Sequence, residues 1–405
     1  MSRPKVAHIT TIDQSLETLL LHQLQSLQRA GYDVVGISAP GPSVPTLTAA
    51  GLRHIAIPMT RNVTPLADLV ALWRLWRVMR RERFAIVHTH TPKPGLLGQL
   101  AARLAGVPVV INTLHGFYFH DAMRPRARRF YIALERLAAR CSDVILSQNR
   151  EDIATARRER IGRPAQIKHL GNGIDLATFD PGRYTPADLA RRRADLGIPT
   201  AAPVVGFVGR LAGRRKGFLD FLAAAARVAE QVPEVRFLIV GEADHGKPDA
   251  VEPETARAYG IADRCHFLGW QPNDALPPLY RLMDLLVLPS LFEGIPRVVM
   301  EAAALGTPAV VTDVKGNREV IEDGRNGLCV PLGNVPALTD AILALLRDPE
   351  RAARLGAAGR AIALERFDER AVFATVRDEY ARLLAAKGLP FPPLPDRLGA
   401  TAPGG

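Results

Sequence analysis

Cysteine is scarce in this chain of 405 residues: Cys141, Cys265 and Cys329 are odd in number and far apart. That excludes a disulfide framework and a cysteine-based metal site, and a reducing cytosol is the simplest home. No apolar run approaches the roughly 20 residues needed to cross a bilayer. The opening MSRPKVAHITTIDQS has no long apolar segment, so no signal peptide is expected. The triplet D-x-D is missing throughout, and with it one acidic pattern that could hold a metal ion. Short tandem repeats are missing too.

Basic charge, by contrast, is plentiful and uneven. Residues 1–180 hold 24 Lys and Arg against 13 Asp and Glu, whereas the remainder holds 28 of each. The whole excess therefore lies in the first half, which suggests two domains with different partners. In both halves short β-branched runs (KVAHITT, YDVVGISA, FAIVHTH, VPVVINTLH; then PVVGFVG, VRFLIVG, DLLVLPS, PAVVTD) alternate with amphipathic stretches. Such alternation predicts βαβ units and parallel sheets. The stretch HLGNGIDLATFDPGRYTP is rich in Gly, Pro and Asp and reads as the linker. The expected organisation is α/β: a Rossmann-like domain over 1–180, another over 181–367, a last helix over 368–387 that packs back on the first domain, and a disordered Pro/Gly-rich tail over 388–405. Ligands of such domains bind at strand C-terminal ends, so a cleft between the two is the expected site.

Four stretches carry chemistry. In FEGIPRVVMEAAALGTP, residues 292–308, seven residues separate Glu293 from Glu301. Pro296 suits the start of a helix that Gly306 and Pro308 would stop. A helix N-terminus presents N–H donors and a positive dipole end to an anion. A diphosphate there would put its ribose beside Glu301, whose carboxylate can accept two hydrogen bonds from a vicinal diol. Glu293 would face the group on the other phosphate. The plainer alternative, a solvated loop acid and an acid on an exposed helix face, stays open on these residues alone.

The second stretch is GFVGRLAGRRKGF, 206–218: strand, glycine-rich loop, helix, with Arg210, Arg214, Arg215 and Lys216 in the loop. Glycines permit close backbone approach and cations neutralise phosphate. It matches neither G-x-G-x-x-G nor the Walker pattern, and it can also be a solvated basic turn. The third joins VHTHTPKPGLLG to NTLHGFYFH. His88, His90 and His115 fall at or past strand ends, but their spacing fits no ligand motif and no metal is expected. His88 reads as a core residue. His115, ahead of Gly116 in a loop, is the functional candidate, orienting a sugar hydroxyl or a leaving phosphate. The fourth is basic: Trp73 and Trp76 interleave with Arg74, Arg77, Arg80, Arg81 and Arg83, and a second stretch adds Arg126, Arg128 and Arg129. Aromatic-rich basic stretches suit an anionic membrane surface, at about 1 kcal/mol per well-placed cation. A solvated arginine-rich face is the alternative. No nucleic-acid motif accompanies them.

Taken together, these residues resemble the GT4 family of retaining glycosyltransferases with the GT-B fold, over nearly the whole chain to about residue 385. PSLFEGIPRVVMEAAALGTPAVVTDVKGNREVIEDGRNGLCV matches the family's E-x7-E signature, GFVGRL with KGF its diphosphate loop, and NGIDLATFDP its interdomain segment. The resemblance implies a nucleotide-sugar donor, uridine being the commonest base, and no metal or other cofactor. By position, Glu301 would hold the ribose, Arg210 and Lys216 the diphosphate, and Glu293 the sugar, with backbone N–H groups from Gly294 and Ile295. His115 would reach the sugar from the first domain. Transfer would retain anomeric configuration by front-face attack, the leaving diphosphate taking the acceptor's proton. Two departures stand out. The loop TTIDQS replaces the Gly-Gly pair of many relatives, so Thr11, Asp13 and Gln14, with His90 and Lys93, are candidates for the acceptor side. The loop from Arg210 to Lys216 is one residue longer than usual, so Arg215 could stand in for Lys216. Similarity to members with THTPKPGLLG points to bacterial surface-polysaccharide synthesis. The acceptor would be a glycan or lipid-linked sugar, at the inner face of the cytoplasmic membrane. The competing readings are a GT-B sugar-nucleotide 2-epimerase and a non-catalytic membrane-binding module.

Overall fold

The computed structural model describes residues 3–119, 123–243, 245 and 249–393. The chain forms two compact units: one runs up to Leu170 and resumes at Ala371, and the other is Gly171–Arg370. The first boundary therefore falls ahead of the expected break after 180. Ile174 explains the difference: it is fully buried in the second unit's core, its N–H donates to the Phe367 carbonyl (2.9 Å), and its carbonyl accepts from Glu369 N–H (3.1 Å). The expected disordered tail lies, from residue 394 on, outside the described residues; ahead of that, Leu389 packs on the first unit's core.

The first unit is built on seven parallel strands: β1 (Lys5–Ile12), β2 (Asp33–Ala39), β3 (Arg53–Ala56), β4 (Ile86–Thr89), β5 (Val109–Leu114), β6 (Val144–Ser147) and β7 (Ile167–His169), in the order β3-β2-β1-β4-β5-β6-β7. The second has six, β8 (Val204–Val208), β9 (Arg236–Val240), β10 (Cys265–Phe267), β11 (Leu285–Leu288), β12 (Ala309–Thr312) and β13 (Gly327–Val330), in the order β10-β9-β8-β11-β12-β13. The inner strands are largely apolar because both faces are covered, although β1, β4 and β5 also bury His8, His88 and Thr113. In the first unit Val6, Ile86 and Val109 pack on one side with Val376, Tyr380 and Leu384 of the last helix. On the other side Ala7, Ile9 and Val87 pack with Leu75 and Met79 of the helix Pro65–Glu82.

Three short strands, β3, β7 and β13, have no counterpart in the sequence reading. Each is the last strand of its sheet, where three or four residues with mixed exposure suffice. The helix Pro349–Arg366 is likewise unanticipated: it is rich in Ala and Arg, with weak contrast between its faces. Pro253–Tyr259 forms a 3-10 turn.

The strand orders position the sites. Strand order reverses between β1 and β4 in one unit and between β8 and β11 in the other. Crevices form at such reversals, outside the strand C-terminal ends. The segments that follow these strands carry Asp13, Gln14, His90 and Lys93 in the first unit, and Arg210 to Lys216 and Glu293 in the second.

Candidate active site

In the second unit, the loops after β8 and β11 are fastened side by side. Leu291 N–H donates to the Arg215 carbonyl (3.1 Å). The Arg215 guanidinium lies 5.0 Å over the Phe292 ring, and Lys216 Nζ donates to Glu293 Oε1 at 2.6 Å. Gly217 makes this approach possible. Its φ is +68°, and a Cβ there would lie 1.9 Å from the Pro289 carbonyl oxygen. Lys216 and Glu293 are both largely buried, whereas Arg215 is exposed. Of the two cations weighed for the phosphate role, Lys216 is thus the one directed at the acid. Arg210 is half-buried where the loop leaves β8.

The turn after β12 closes on the same spot. A Cβ on Gly316 would come within 2.5 Å of the Glu293 carbonyl oxygen and 2.6 Å of that of Gly294. Asn317 secures the turn by donating to the Thr312 carbonyl (2.8 Å), while Thr312 Oγ1 donates to the Ser290 carbonyl (2.6 Å). Gly294 and Ile295 are partly exposed beside Glu293. They lead into the helix Arg297–Ala304, with Pro296 at its N-cap.

Glu301 is not on an exposed face: it is 3% exposed. Tyr280 Oη donates to its Oε2 at 2.8 Å, and Arg297, one turn earlier, lies 3.7 Å from its Oε1. Burial pushes its carboxyl above the usual range, while Arg297 and Tyr280 pull the other way. Neither partner was expected. Arg297 could have been found from its i,i+4 spacing, but Tyr280 lies on a separate helix, Leu276–Leu282.

In the first unit, the candidates for the acceptor side separate. Gln14 is exposed. Asp13 is buried instead, accepts a hydrogen bond from Ser43 N–H (2.7 Å), and fills the space a side chain on Gly41 would need. The carboxylate thereby anchors the 41–43 loop. Lys93 is also committed: its Nζ donates to Thr60 Oγ1 (2.9 Å) and the Asn62 carbonyl (2.5 Å) and pairs with Asp68 (2.5 Å). It locks the 60–64 segment to the start of the helix Pro65–Glu82.

His90 is buried among other histidines. Its Nε2 hydrogen bonds with His8 Nδ1 (2.9 Å) and its Nδ1 with His115 Nε2 (3.3 Å). His115 itself is half-buried. His88 is fully buried, bonded to Tyr380 Oη and Thr113 Oγ1 at 2.7 Å each. Nitrogen atoms of His8, His88 and His90 lie within 4.8 Å of one another, but these ring nitrogens are engaged with each other and with Tyr380 and Thr113.

The expected membrane face also changes in detail. Trp73, Arg77, Arg80, Arg81, Arg126 and Arg129 are exposed, with the Arg77 guanidinium 5.4 Å over the Trp73 ring. Arg128 is not part of it: it is half-buried, paired with Glu159 at 2.7 Å and set over Phe119. An apolar row goes with the cations on the helix Pro65–Glu82: Leu66 is 82% exposed, Leu69 63% and Trp73 51%, with Val70 and Trp76 beside them. Among the described residues, no helix is long and apolar enough to cross a membrane.

The chain is similar to known proteins in sequence and in fold. The family model described as glycosyl transferase 4-like domain matches residues 16–173, and that described as glycosyl transferases group 1 matches residues 202–348. The Escherichia coli UDP-Gal:alpha-D-GlcNAc-diphosphoundecaprenol alpha-1,3-galactosyltransferase is 30% identical over 352 residues, 86% of this chain and 89% of that one. The putative glycosyltransferase EpsD of Bacillus subtilis (strain 168) is 28% identical over 381 residues, 93% of this chain and 96% of that one. In fold, Anabaena HepE, solved in complex with UDP and glucose, superposes with a TM-score of 0.79 at 21% identity, covering 94% of this chain and all of that one. The class these define is the glycosyltransferases, enzymes that move a sugar onto an acceptor. Within it, the chain belongs to the GT4 family and has the GT-B fold.

Proposed function

We propose that this glycosyltransferase takes a sugar from a uridine diphosphate sugar and passes it, with retention of anomeric configuration, to a glycan or lipid-linked acceptor in bacterial cell-surface polysaccharide synthesis. The observation that carries the donor site is the joined pair of loops after β8 and β11, with Lys216 on Glu293 at 2.6 Å and Glu301 held one helix away. A diphosphate would meet Lys216, Arg210 and the positive end of the helix Arg297–Ala304. Glu301, fixed by Tyr280 and Arg297, would accept from the ribose hydroxyls. Glu293, released from Lys216, would accept from the sugar beside the N–H groups of Gly294 and Ile295, and His115 is the first unit's candidate for orienting a sugar hydroxyl or a leaving phosphate. These cations stabilise the leaving diphosphate, so the chemistry needs no metal ion. The E. coli relative, whose name contains both a UDP-sugar and a diphosphoundecaprenol acceptor, supports this choice of donor and acceptor.

A thermal-shift panel of UDP, GDP, ADP and their sugar conjugates, repeated on Glu301→Ala, tests the reading. A ligand at 100 times its dissociation constant stabilises by about 2.7 kcal/mol. A shift with uridine conjugates alone, lost in the variant, supports it. No shift with any nucleotide overturns it. Turnover of the donor without an acceptor would replace it with an epimerase.

The exposed row Leu66, Leu69, Val70 and Trp73, with Arg77, Arg80 and Arg81 on the same helix, favours a second element. This face would rest on an anionic membrane at the inner side of the cytoplasmic membrane, where a lipid-linked acceptor would lie.

A further inference from the structure

The buried histidines of the first unit form one continuous hydrogen-bonded chain. It runs from Thr113 Oγ1 to His88 Nε2 (2.7 Å), from His88 Nδ1 to Tyr380 Oη (2.7 Å), and from Tyr380 Oη to His8 Nε2 (3.0 Å). It continues from His8 Nδ1 to His90 Nε2 (2.9 Å) and from His90 Nδ1 to His115 Nε2 (3.3 Å). His8, His88, His90 and Tyr380 are at most 3% exposed. Stacking holds the rings: the His88 and His90 centroids are 4.3 Å apart and those of His8 and His90 5.1 Å. Four separate segments meet here, β1, β4 with its following residue, β5 with the loop after it, and the last helix. An apolar core would be cheaper to build, since each buried polar group must be satisfied.

Burial keeps the inner imidazoles neutral: it lowers His8 to about 3, and it takes His88 and His90 well below the ordinary histidine value. A neutral imidazole has one N–H and one acceptor nitrogen. The tyrosine hydroxyl here has one proton to share between two imidazoles. Were its oxygen to accept from both, its own buried O–H would lack a partner in the chain, so in the satisfied arrangement each inner group accepts on one side and donates on the other, and reversing one bond reverses all of them. The chain has just two polarities. In one, Thr113 donates inward, every group donates toward His115, and His115 accepts at Nε2, so its proton sits on Nδ1. In the other, His115 donates from Nε2 and the last donation arrives at Thr113.

We propose that His8, His88, His90 and Tyr380 are positioning residues that hold His115 as its Nδ1–H tautomer, with the ring fixed to donate away from the chain. The polarity rests on the reading of His115 given above: a group that orients a sugar oxygen next to a leaving diphosphate should donate. A neutral histidine side chain in water prefers the Nε2–H form, so the chain would impose the less common one.

The test is histidine-selective 15N NMR on the full chain, with each ring identified by its His→Gln variant and its tautomer read from nitrogen shifts and ring couplings. The expected result is Nδ1–H at His115 in the wild type, moving toward Nε2–H in Tyr380→Phe and His8→Leu but not in His8→Gln, which can still accept and donate. With the nucleotide sugar selected by thermal shift, Tyr380→Phe and His8→Leu should lose roughly tenfold or more in kcat with donor KM unchanged, and His8→Gln should recover much of it. Nδ1–H lost at no variant, or Nε2–H at His115 in the wild type, overturns the proposal; the wild-type spectrum alone decides the latter if the variants fold poorly. His115→Ala separates the two readings. If it transfers sugar at the full rate, the role of His115 in the site fails, whereas the spectra still report whether the chain sets its tautomer.

Discussion

Lys216 and Glu293, 77 residues apart, hold each other through a 2.6 Å charge-assisted hydrogen bond between two loops. If this site takes a diphosphate as proposed, Lys216 must be drawn away from its partner. Glu293→Gln should therefore bind free UDP as tightly as the wild type or more so, because the lysine is released, while sugar transfer falls by about 100-fold. Lys216→Ala should instead weaken UDP by about 1.5–3 kcal/mol, the worth of a hydrogen bond to a charged group. Calorimetric titration with UDP beside transfer rates separates the two. Weaker UDP binding in Glu293→Gln would contradict the competition.

Tyr280→Phe removes a donor from a carboxylate that is almost fully buried. It should cost about 1–3 kcal/mol of stability, read from urea denaturation, and should weaken nucleotide binding as Glu301 loses its fixed orientation. An unchanged unfolding midpoint would show that Arg297 alone suffices.

Glu135, on the helix Pro125–Cys141, is raised from 4.5 to about 7, first by burial and then by the charge of Asp152. The folded chain thus keeps this proton at a pH where the unfolded chain has released it. The associated stability is complete below about 4.5 and is lost as pH rises through about 7. Glu135→Gln should melt with the wild type at pH 5 and above it at pH 8.5.

If the row on the helix Pro65–Glu82 enters an anionic bilayer, Leu66→Asp and Trp73→Ser should each reduce binding to phosphatidylglycerol vesicles by roughly 30-fold, from about 2 kcal/mol of lost apolar burial. Raising salt should weaken the wild type through Arg77, Arg80 and Arg81 without abolishing its flotation. Flotation equal in wild type and both variants would reduce this face to a solvated one.

If Lys216, Arg210 and a helix N-terminus neutralise the diphosphate as proposed, transfer should survive EDTA undiminished. A rate restored only by added Mg²⁺ or Mn²⁺ would contradict this.

Much of the fold was legible because inner strands such as Val204–Val208 are buried on both faces and read as plain apolar runs. Edge strands such as Ile167–His169 carry no such pattern, since one side has no neighbour to demand it. The pairing of Lys216 with Glu293 was foreshadowed by two loops that both follow inner strands. Tyr280 on Glu301 was not, because nothing local marks a tyrosine that serves a carboxylate on another helix. Asp13 and Lys93 likewise have partners that nothing local marks: Ser43 N–H for the first, and the 60–64 segment with Asp68 for the second.

Because the first unit resumes only at Ala371, a ribosome would release its opening strands long before the helix that covers them. The second unit, continuous from Gly171 to Arg370, would be complete while the first still lacked Val376, Tyr380 and Leu384. Until then His8 and His88 would lack the hydroxyl that joins them, so the half that is made first would be finished last.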